Sequence, residues 1–244
     1  MGTARLKISY DGGRYAGWAA QAGSLTIQSE LEAALKQITR QAIELTAAGR
    51  TDAGVHASGQ VASFTHDAPL PEPFAERVNA VLPRDIAVLS AEAAPDGFDA
   101  RRDALSRSYR YRVLASSLRR PLEEGRALWW RFPLDRDALD ECAAAIVGKH
   151  DFTAFTPAQT EHVLFKRNII SCEWEEEGPE MLAMKITAPS FMRKQVRILT
   201  GTMLEVGGRR RTIEGFRALL EGASRRDAGA TAPAHGLCLV GAAY

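Results

Sequence analysis

The sequence contains no apolar run that approaches the roughly 20 residues needed to cross a bilayer. Its opening segment, Met1 to Gly13, enters a strand-like alternation directly and lacks the apolar core of a signal peptide. The composition, with 45% hydrophobic and 25% charged residues, is that of an ordinary globular domain. These features predict a cytoplasmic protein that does not insert into a membrane.

Cysteine is scarce. Cys142, Cys172 and Cys238 form neither a CxxC pair nor a disulfide framework, and we expect buried free thiols. Glycine-rich phosphate-binding motifs are absent, so the sequence predicts no nucleotide cofactor. Metal-ligand spacing is also missing from the five histidines, which favours loop structure or RNA contact for His56, His66, His150, His162 and His235.

The net charge of +1 hides an uneven distribution of charged residues. The stretch Arg101–Arg120 holds seven arginines against one acid, and Arg193–Arg226 holds nine bases against three acids. An acidic run at Glu173–Glu177 balances them. Local basic stretches on a nearly neutral protein are typical of a surface that binds a polyanion. A solvated charged surface is the alternative.

The first half of the chain follows the order strand, helix, strand, strand, helix, strand. Arg5 to Tyr10 alternates and ends at a glycine turn. Thr26 can cap a helix whose apolar stripe is Ile27, Leu31, Ala34, Leu35 and Ile38. The remaining elements are predicted strands at Ile43–Ala48, Gly59–Thr65 and Ile86–Ser90, and a helix that begins at Phe74 and ends near Pro83.

The second half repeats this order of elements. A predicted strand at Ser106–Leu114 places Tyr109 and Tyr111 on one side, with Arg110 and Arg112 on the other. The remaining elements are predicted as a helix around Leu139–Ile146, strands at Asn168–Trp174, Met181–Thr187 and Leu237–Ala242, and helices at Phe191–Val206 and Ile213–Leu220.

Two β-α-β-β-α-β units in tandem predict an α+β fold of two ferredoxin-like halves, similar to RNA-recognition modules, with helices on one face of each sheet. We expect an N-terminal half at residues 1–104 and a C-terminal half at residues 105–244, with their sheets joined and an active-site cleft between them. RNA-recognition modules of similar topology use the open face of the sheet to bind RNA.

The most informative segment is Gly49-Arg50-Thr51-Asp52-Ala53-Gly54-Val55-His56-Ala57, in a loop between two predicted strands. Its glycines allow backbone conformations that other residues resist. Arg50 and Asp52 can both face one cleft, where positive charge would keep the carboxylate ionised, as a nucleophile or base requires. Spacing alone leaves open a structural turn with an Asx hydrogen bond.

This segment resembles the catalytic-loop signature of the tRNA pseudouridine synthase A (TruA) family. Other segments match the same family in the same order and cover nearly the whole chain. They are Tyr10-Asp11-Gly12, Gly17-Trp18, Thr26-Ile27-Gln28, Asn79-Ala80-Val81-Leu82-Pro83, Phe98-Asp99-Ala100-Arg101, Arg107-Ser108-Tyr109-Arg110-Tyr111, Phe191-Met192-Arg193, Val196-Arg197, Gly201–Gly207 and Thr231–Leu237.

The resemblance implies roles for individual residues. Asp52 would be the catalytic carboxylate that attacks or deprotonates the target nucleoside, with both a covalent adduct and an acid/base route through a glycal open. Arg50 would help to displace the target base, which must leave its stack before it can react. Tyr109 would stack on the flipped uracil. For Tyr111, on the same face, an ordinary core aromatic is the favoured interpretation.

Arg197 resembles the arginine that pairs with the catalytic carboxylate and opposes its protonation. A helix from Phe191 would place Arg193 and Arg197 four residues apart on one face. Phosphate binding is the alternative for both arginines, and we favour it for Arg193. Further predicted substrate-binding residues are Lys194, Arg101 and Arg107.

The chain departs from the family pattern at several positions, which touch packing or RNA contact rather than the reaction. Ala19 and Ala20 stand in a stretch that usually contains glutamine, and Lys194, Gln195 and Ile198 replace commoner residues around Val196-Arg197.

The resemblance further implies an isomerase that forms pseudouridine at uridines 38, 39 and 40 of the tRNA anticodon stem-loop and acts as a homodimer. It needs no cofactor and no metal. One rival hypothesis is a non-catalytic RNA-binding module, in which Asp52→Asn would leave tRNA modification unchanged. Another is a carboxylate-dependent or metal hydrolase with a small substrate, which would ignore tRNA.

Overall fold

The computed structural model describes residues 2–160 and 162–244. Within these residues it contains eleven strands and five α-helices. In chain order they are β1 (Gly2–Tyr10), α1 (Ile27–Thr39), β2 (Thr46–Ala47), β3 (His56–His66), α2 (Phe74–Asn79), β4 (Ile86–Ala94), β5 (Ser106–Ala115), β6 (Leu128–Trp130), α3 (Arg136–Ala145), β7 (Gly148–Asp151), β8 (Lys166–Ile169), β9 (Ser171–Gly178), β10 (Met181–Ala188), α4 (Gln195–Gly207), α5 (Ile213–Arg217) and β11 (Leu237–Ala243).

The chain forms two compact units. The first contains Met1–Arg107 together with Cys238–Tyr244, and the second contains Ser108–Leu237. In both units, neighbouring strands pair mostly antiparallel, and separate helices pack against them. This arrangement confirms the predicted α+β class. Within the described ranges, no helix is long and apolar enough to cross a membrane.

The sheet of the first unit has the strand order β4-β1-β3-β11, and β2 pairs with β3. β1 pairs antiparallel with both neighbours, so that Leu6 lies opposite Ala62 on β3 and Ala91 on β4. Alternate β1 residues are buried, as the period of two in the sequence predicts. The sheet therefore fixes β3, and the loop that carries Asp52 ends where this strand begins.

Helix α1 begins where the sequence predicts. The Thr26 side chain accepts a hydrogen bond from the backbone N–H of Ser29, which supplies the N-cap. Ile27, Leu31, Ala34 and Leu35 of the apolar stripe are buried, whereas its last member is only half-buried. The helix ends at Thr39, and the C-cap residue Arg40 adopts a left-handed conformation with φ of 59°.

In the second unit, β10 lies between β5 and β9, and β6 pairs parallel with β5. Tyr109, Tyr111 and Val113 on β5 are buried, as their alternation with two arginines predicts. β9 and β10 pair antiparallel. The predicted strand Asn168–Trp174 is divided between β8 and β9, with Ile170 between them. Helix α3 packs against both β9 and α4.

The predicted start of the helix at Phe191 is wrong. Helix α4 begins at Gln195, because Lys194 adopts a left-handed conformation with φ of 59° and turns the chain before the first helical residue. The Gln195 side-chain carbonyl accepts a hydrogen bond of 2.8 Å from the Met192 N–H and closes this turn. Arg193 therefore precedes the helix and does not share a helical face with Arg197.

The three cysteines are free thiols, as predicted. Only Cys142 is fully buried, and its burial raises the pKa of the thiol to about 12. Cys172 and Cys238 are half-buried, so the prediction of complete burial is wrong for these two.

Candidate active site

The Asp52 loop, residues 49–55, connects β2 to β3. The Asp52 carbonyl accepts a hydrogen bond of 3.1 Å from the Val55 N–H, which closes a four-residue turn. Gly54, at the third position, has φ of 77°, the positive value that a type II turn requires there. Asp52 is half-buried and Arg50 is exposed. The turn therefore fixes the backbone of Asp52.

Buried side chains hold the residues on either side of Arg50. The Gln60 amide donates a hydrogen bond of 2.7 Å to the Gly49 carbonyl, and Gln60 is completely buried. The Tyr10 hydroxyl lies 2.8 Å from the Thr51 hydroxyl, in another buried hydrogen bond. Both β1 and β3 therefore anchor the loop just before Asp52.

The segment after β1 holds the other side of the loop. The Trp18 N–H donates to the Thr51 carbonyl at 3.0 Å, and the Gly54 N–H donates to the Tyr15 carbonyl at 3.3 Å. Gly17 has φ of 105°, and a Cβ at this position would lie 2.7 Å from the Thr51 carbonyl oxygen. Only glycine allows this approach without displacing the loop.

His56 also serves the structure of this loop. Its Nδ1 lies 3.1 Å from the Gly12 nitrogen and 3.1 Å from an Asp11 carboxylate oxygen. A Cβ on Gly12 would lie 2.0 Å from the Val55 carbonyl oxygen, so this approach also requires glycine. Within residues 2–160 and 162–244, no three His, Cys, Asp or Glu side chains are grouped to hold a metal ion.

Arg107 and Arg101 lie in the first unit, where the side chain of Arg107 contacts the backbone of Arg101. The Arg107 guanidinium donates to the carbonyls of Ala48, Ala104 and Arg101 at 2.9, 2.9 and 2.5 Å. Because these bonds occupy much of its donor capacity, Arg107 fixes the chain near the end of β2. The Arg101 side chain is exposed to solvent.

In the second unit, the ring of Tyr109 meets Phe191 edge to face, with centroids 5.3 Å apart and planes at 87°. Such a contact restricts the orientation of the tyrosine ring. Tyr111 is completely buried and donates a hydrogen bond of 2.9 Å to the Pro233 carbonyl. Burial raises the pKa of Tyr111, which confirms the interpretation of this residue as a core aromatic.

Arg197 lies in the first turn of α4 and is half-buried. Its Nε donates to the Ala232 carbonyl at 2.8 Å, while the Ala232 N–H donates to the Arg197 carbonyl at 3.0 Å. A Cβ on Gly201 would lie 1.9 Å from the Ala230 carbonyl oxygen, so glycine lets the segment before β11 approach α4. That segment thereby orients the Arg197 guanidinium.

Several arginines of the first basic stretch are neutralised by acidic residues. Arg110 and Arg112 form ion pairs with Glu177 at 3.0 and 2.7 Å, and Arg120 pairs with Glu180 at 2.5 Å. The acidic run therefore balances part of this stretch, as the sequence predicts. Arg193 is exposed and Lys194 is half-buried, both ahead of α4.

Two contributors to this geometry escaped the sequence analysis. In the sequence, Gln60 is only a polar residue next to the apolar Val61 and Ala62, and its hydrogen-bond partner Gly49 lies eleven residues away. Phe191 belongs to one of the matched motifs, but the motif does not predict its contact with Tyr109, because the two residues are far apart in sequence.

The sequence of the chain is similar to those of known tRNA pseudouridine synthases. The sequence model of the family described as tRNA pseudouridine synthase matches residues 7–102 and 142–244. The chain belongs to the tRNA pseudouridine synthase family. A relative named tRNA pseudouridine synthase A from Pelobacter propionicus is 42% identical over 246 residues, covering 100% of both chains. Another of that name from Bacillus pumilus is 38% identical over 240 residues, with 96% of each chain covered.

The chain also aligns with a solved structure, the archaeal box H/ACA sRNP Nop10-Cbf5 complex. The TM-score is 0.38 at 13% sequence identity, over 84% of this chain and 44% of that one. Membership in the tRNA pseudouridine synthase family rests on the sequence matches, which also make this chain an isomerase.

Proposed function

We propose that this member of the tRNA pseudouridine synthase family converts uridines 38, 39 and 40 of the tRNA anticodon stem-loop to pseudouridine. The observation that carries the proposal is the Asp52 loop, in which two flanking strands and a glycine-dependent contact fix one half-buried carboxylate. Relatives named tRNA pseudouridine synthase A match along the whole chain and support tRNA as the substrate.

The reaction breaks the bond between N1 of uracil and C1′ of the ribose and joins C1′ to C5 instead; C5 loses its proton and N1 gains one. Atoms are conserved and there is no net oxidation, so neither a redox cofactor nor phosphate energy is required. Asp52 acts either as a nucleophile or as a base, and both routes need a carboxylate held at a fixed position. Arg50, exposed and adjacent, helps to displace the target base.

Tyr109 supplies the ring on which the flipped uracil stacks, and its edge contact with Phe191 supports that orientation. Arg197 is proposed as the arginine that pairs with the catalytic carboxylate, and the hydrogen bond from its Nε to the Ala232 carbonyl supports a positioned guanidinium. Arg193, Lys194 and Arg101 bind RNA phosphates, with Arg107 contributing chiefly by ordering the chain around Arg101.

The proposal also includes two ferredoxin-like halves, a homodimer and a cytoplasmic location. The antiparallel strand order β4-β1-β3-β2 in the first unit supports a ferredoxin-like half, since β-α-β-β-α-β connections in one sheet produce this order. The proposed activity on tRNA supports the cytoplasmic location, because the enzyme must meet its tRNA substrate there.

Asp52→Asn provides the decisive test, because it keeps the shape of the side chain and removes its charge. We expect unmodified tRNA to gain pseudouridine at positions 38–40 with the wild type and none with the variant, while tRNA affinity changes by less than about threefold. Asp67→Asn, at an exposed position, is the matched control and should remain fully active.

Pseudouridine formation by Asp52→Asn at the wild-type rate would overturn the assignment and favour a non-catalytic RNA-binding role. Hydrolysis of a small substrate that is sensitive to chelators and indifferent to tRNA would favour a hydrolase instead.

A further inference from the structure

Two arginines and two aromatic rings form a cluster in the second unit, here called the Arg131–Arg210 cluster: Trp130, Arg131, Phe132 and Arg210. The Arg210 guanidinium carbon lies 5.2 Å from the Phe132 ring centroid and 5.6 Å from that of Trp130. The Arg131 guanidinium lies 5.4 Å from the same Phe132 ring, which is 47% exposed. Two guanidinium groups therefore lie close to the partly exposed ring of Phe132.

Within residues 2–160 and 162–244, no acidic side chain forms an ion pair with either of these two arginines. Their neighbours Arg209 and Arg211 form ion pairs with Asp135 and Glu205 at 3.2 and 3.3 Å. Among the residues that the structure describes, Arg131 and Arg210 form no such pair, and aromatic rings are their close partners instead. Two like charges on one ring repel each other, and a bound anion would relieve that repulsion.

The cluster is remote from Tyr109 and Arg197, the predicted site residues of the same unit. Trp130 pairs with Ala115 on β5, six residues beyond Tyr109, or about 20 Å at the rise of a strand. Helix α4 ends at Gly207, which lies ten residues beyond Arg197, or about 15 Å along the helix axis. Arg210 follows three residues later. Both elements run from a predicted catalytic residue towards the cluster.

We propose that the Arg131–Arg210 cluster binds the phosphate backbone of the tRNA substrate outside the nucleotide that is modified. A separation of 15–20 Å spans several stacked base pairs, so the cluster is too far from Tyr109 to contact the target uridine itself. The rings hold the guanidinium groups in place and leave their N–H edges available for phosphate oxygens. This inference rests on the proposed tRNA substrate.

A second copy of this chain fits the cluster less well than RNA does. A twofold interface with the cluster at its axis would bring these arginines towards their own copies, and like charges would then repel. RNA instead offers a regular array of negative charges, which matches unpaired guanidinium groups without any acidic partner from the protein.

The test is the double variant Arg131→Gln/Arg210→Gln, assayed for binding to unmodified tRNA between 50 and 200 mM salt. We expect the Kd to rise about tenfold and the slope of log affinity against log salt to become shallower by about 1 to 2, because two phosphate contacts are lost. The kcat at saturating tRNA should stay within about twofold of wild type.

Two further variants separate charge from folding. Arg131→Lys/Arg210→Lys keeps both charges and should keep the salt slope of the wild type. Arg217→Gln removes an exposed arginine that is paired with Glu141 at 3.7 Å, and should change neither the Kd nor the slope.

Unchanged affinity and slope in a folded glutamine double variant would overturn the inference. So would equal losses in the lysine double variant, which would point to packing, or a loss of self-association in sedimentation, which would identify a subunit interface. Failure of the proposed function shows separately, as a wild type that binds tRNA but forms no pseudouridine.

Discussion

The amide of Gln60 donates a hydrogen bond to the carbonyl of Gly49, and this 2.7 Å contact ties the middle of β3 to the start of the Asp52 loop. The same nitrogen lies 3.5 Å from the Tyr10 hydroxyl, which in turn contacts Thr51. Arg50 therefore projects from a backbone that is fixed on both sides by buried polar groups. We regard this network as the reason that the loop has a fixed conformation, as the proposed catalytic role of Asp52 requires.

Gln60→Met tests that network, because methionine has a similar length but cannot donate the hydrogen bond. We expect a loss of about 1–3 kcal/mol in the free energy of unfolding, since a buried carbonyl loses its partner. We also expect kcat to fall by about 10- to 100-fold, because small displacements of catalytic groups are costly. Urea unfolding and single-turnover pseudouridine formation measure the two effects.

The matched control is Gln37→Met, which makes the same substitution at an exposed position on α1. It should leave both quantities within experimental error of the wild type. A Gln60→Met protein that is destabilised but has an unchanged kcat would show that the bond supports only the fold.

Gly17→Ala should disturb the Asp52 loop directly. The added Cβ would lie 2.7 Å from the Thr51 carbonyl oxygen and 3.1 Å from the Asp52 carbonyl carbon, so the loop backbone must shift. We expect kcat to fall at least tenfold, with a smaller change in tRNA affinity. Steady-state kinetics on unmodified tRNA, compared with tRNA binding, separate these effects.

Gly97→Ala is the control for this substitution, because Gly97 also has a positive φ, of 80°, but no atom lies within 4 Å of its added Cβ. It should cost about 1–2 kcal/mol of stability from backbone strain alone and leave kcat unchanged. If both variants lose activity equally, general destabilisation rather than displacement of the loop is responsible.

The sequence pattern predicts correctly those elements whose limits and buried face are determined by residues within the element itself. Helix α1 has an N-cap and a regular apolar stripe, and both its start and its buried face follow from them. The start of α4 does not, because Phe191 and Met192 continue the apolar pattern while Lys194 turns the chain in a left-handed conformation. That conformation is uncommon for a lysine, so the sequence gives no sign of it.

The candidate site shows the same division. Resemblance identifies Asp52 and Arg50, but the contacts that fix them join residues distant in sequence, such as Tyr10 and Thr51. The predicted strand Ile43–Ala48 illustrates the reason, since the paired strand covers only Thr46 and Ala47, and one further backbone hydrogen bond joins Ala48 to Val61 on β3. Partners of this kind are decided by tertiary packing, which periodicity does not encode.

Stability should fall at alkaline pH in part through Cys142. Burial raises the pKa of its thiol to about 12, whereas an unfolded cysteine titrates near 8.5. Between these values the native state holds a proton that the unfolded state has lost, so the free energy of unfolding decreases as pH rises, by up to about 1.4 kcal/mol per pH unit. Cys142→Ala should flatten this decrease between pH 9 and 10.5 in urea unfolding under reducing conditions. Parallel curves for wild type and variant would contradict the assignment.

Tyr109 separates ring stacking from hydroxyl chemistry. Its ring is fixed edge-on by Phe191, and stacking of a base on an aromatic ring contributes about 1–3 kcal/mol. Tyr109→Phe keeps the ring and should retain most of the activity, whereas Tyr109→Leu should lower kcat/KM by about 5- to 150-fold. Equal losses in both variants would show that the hydroxyl carries the role. Tyr111→Phe is the matched control, since it removes a buried hydroxyl bonded to Pro233 and should reduce stability while leaving kcat/KM nearly unchanged.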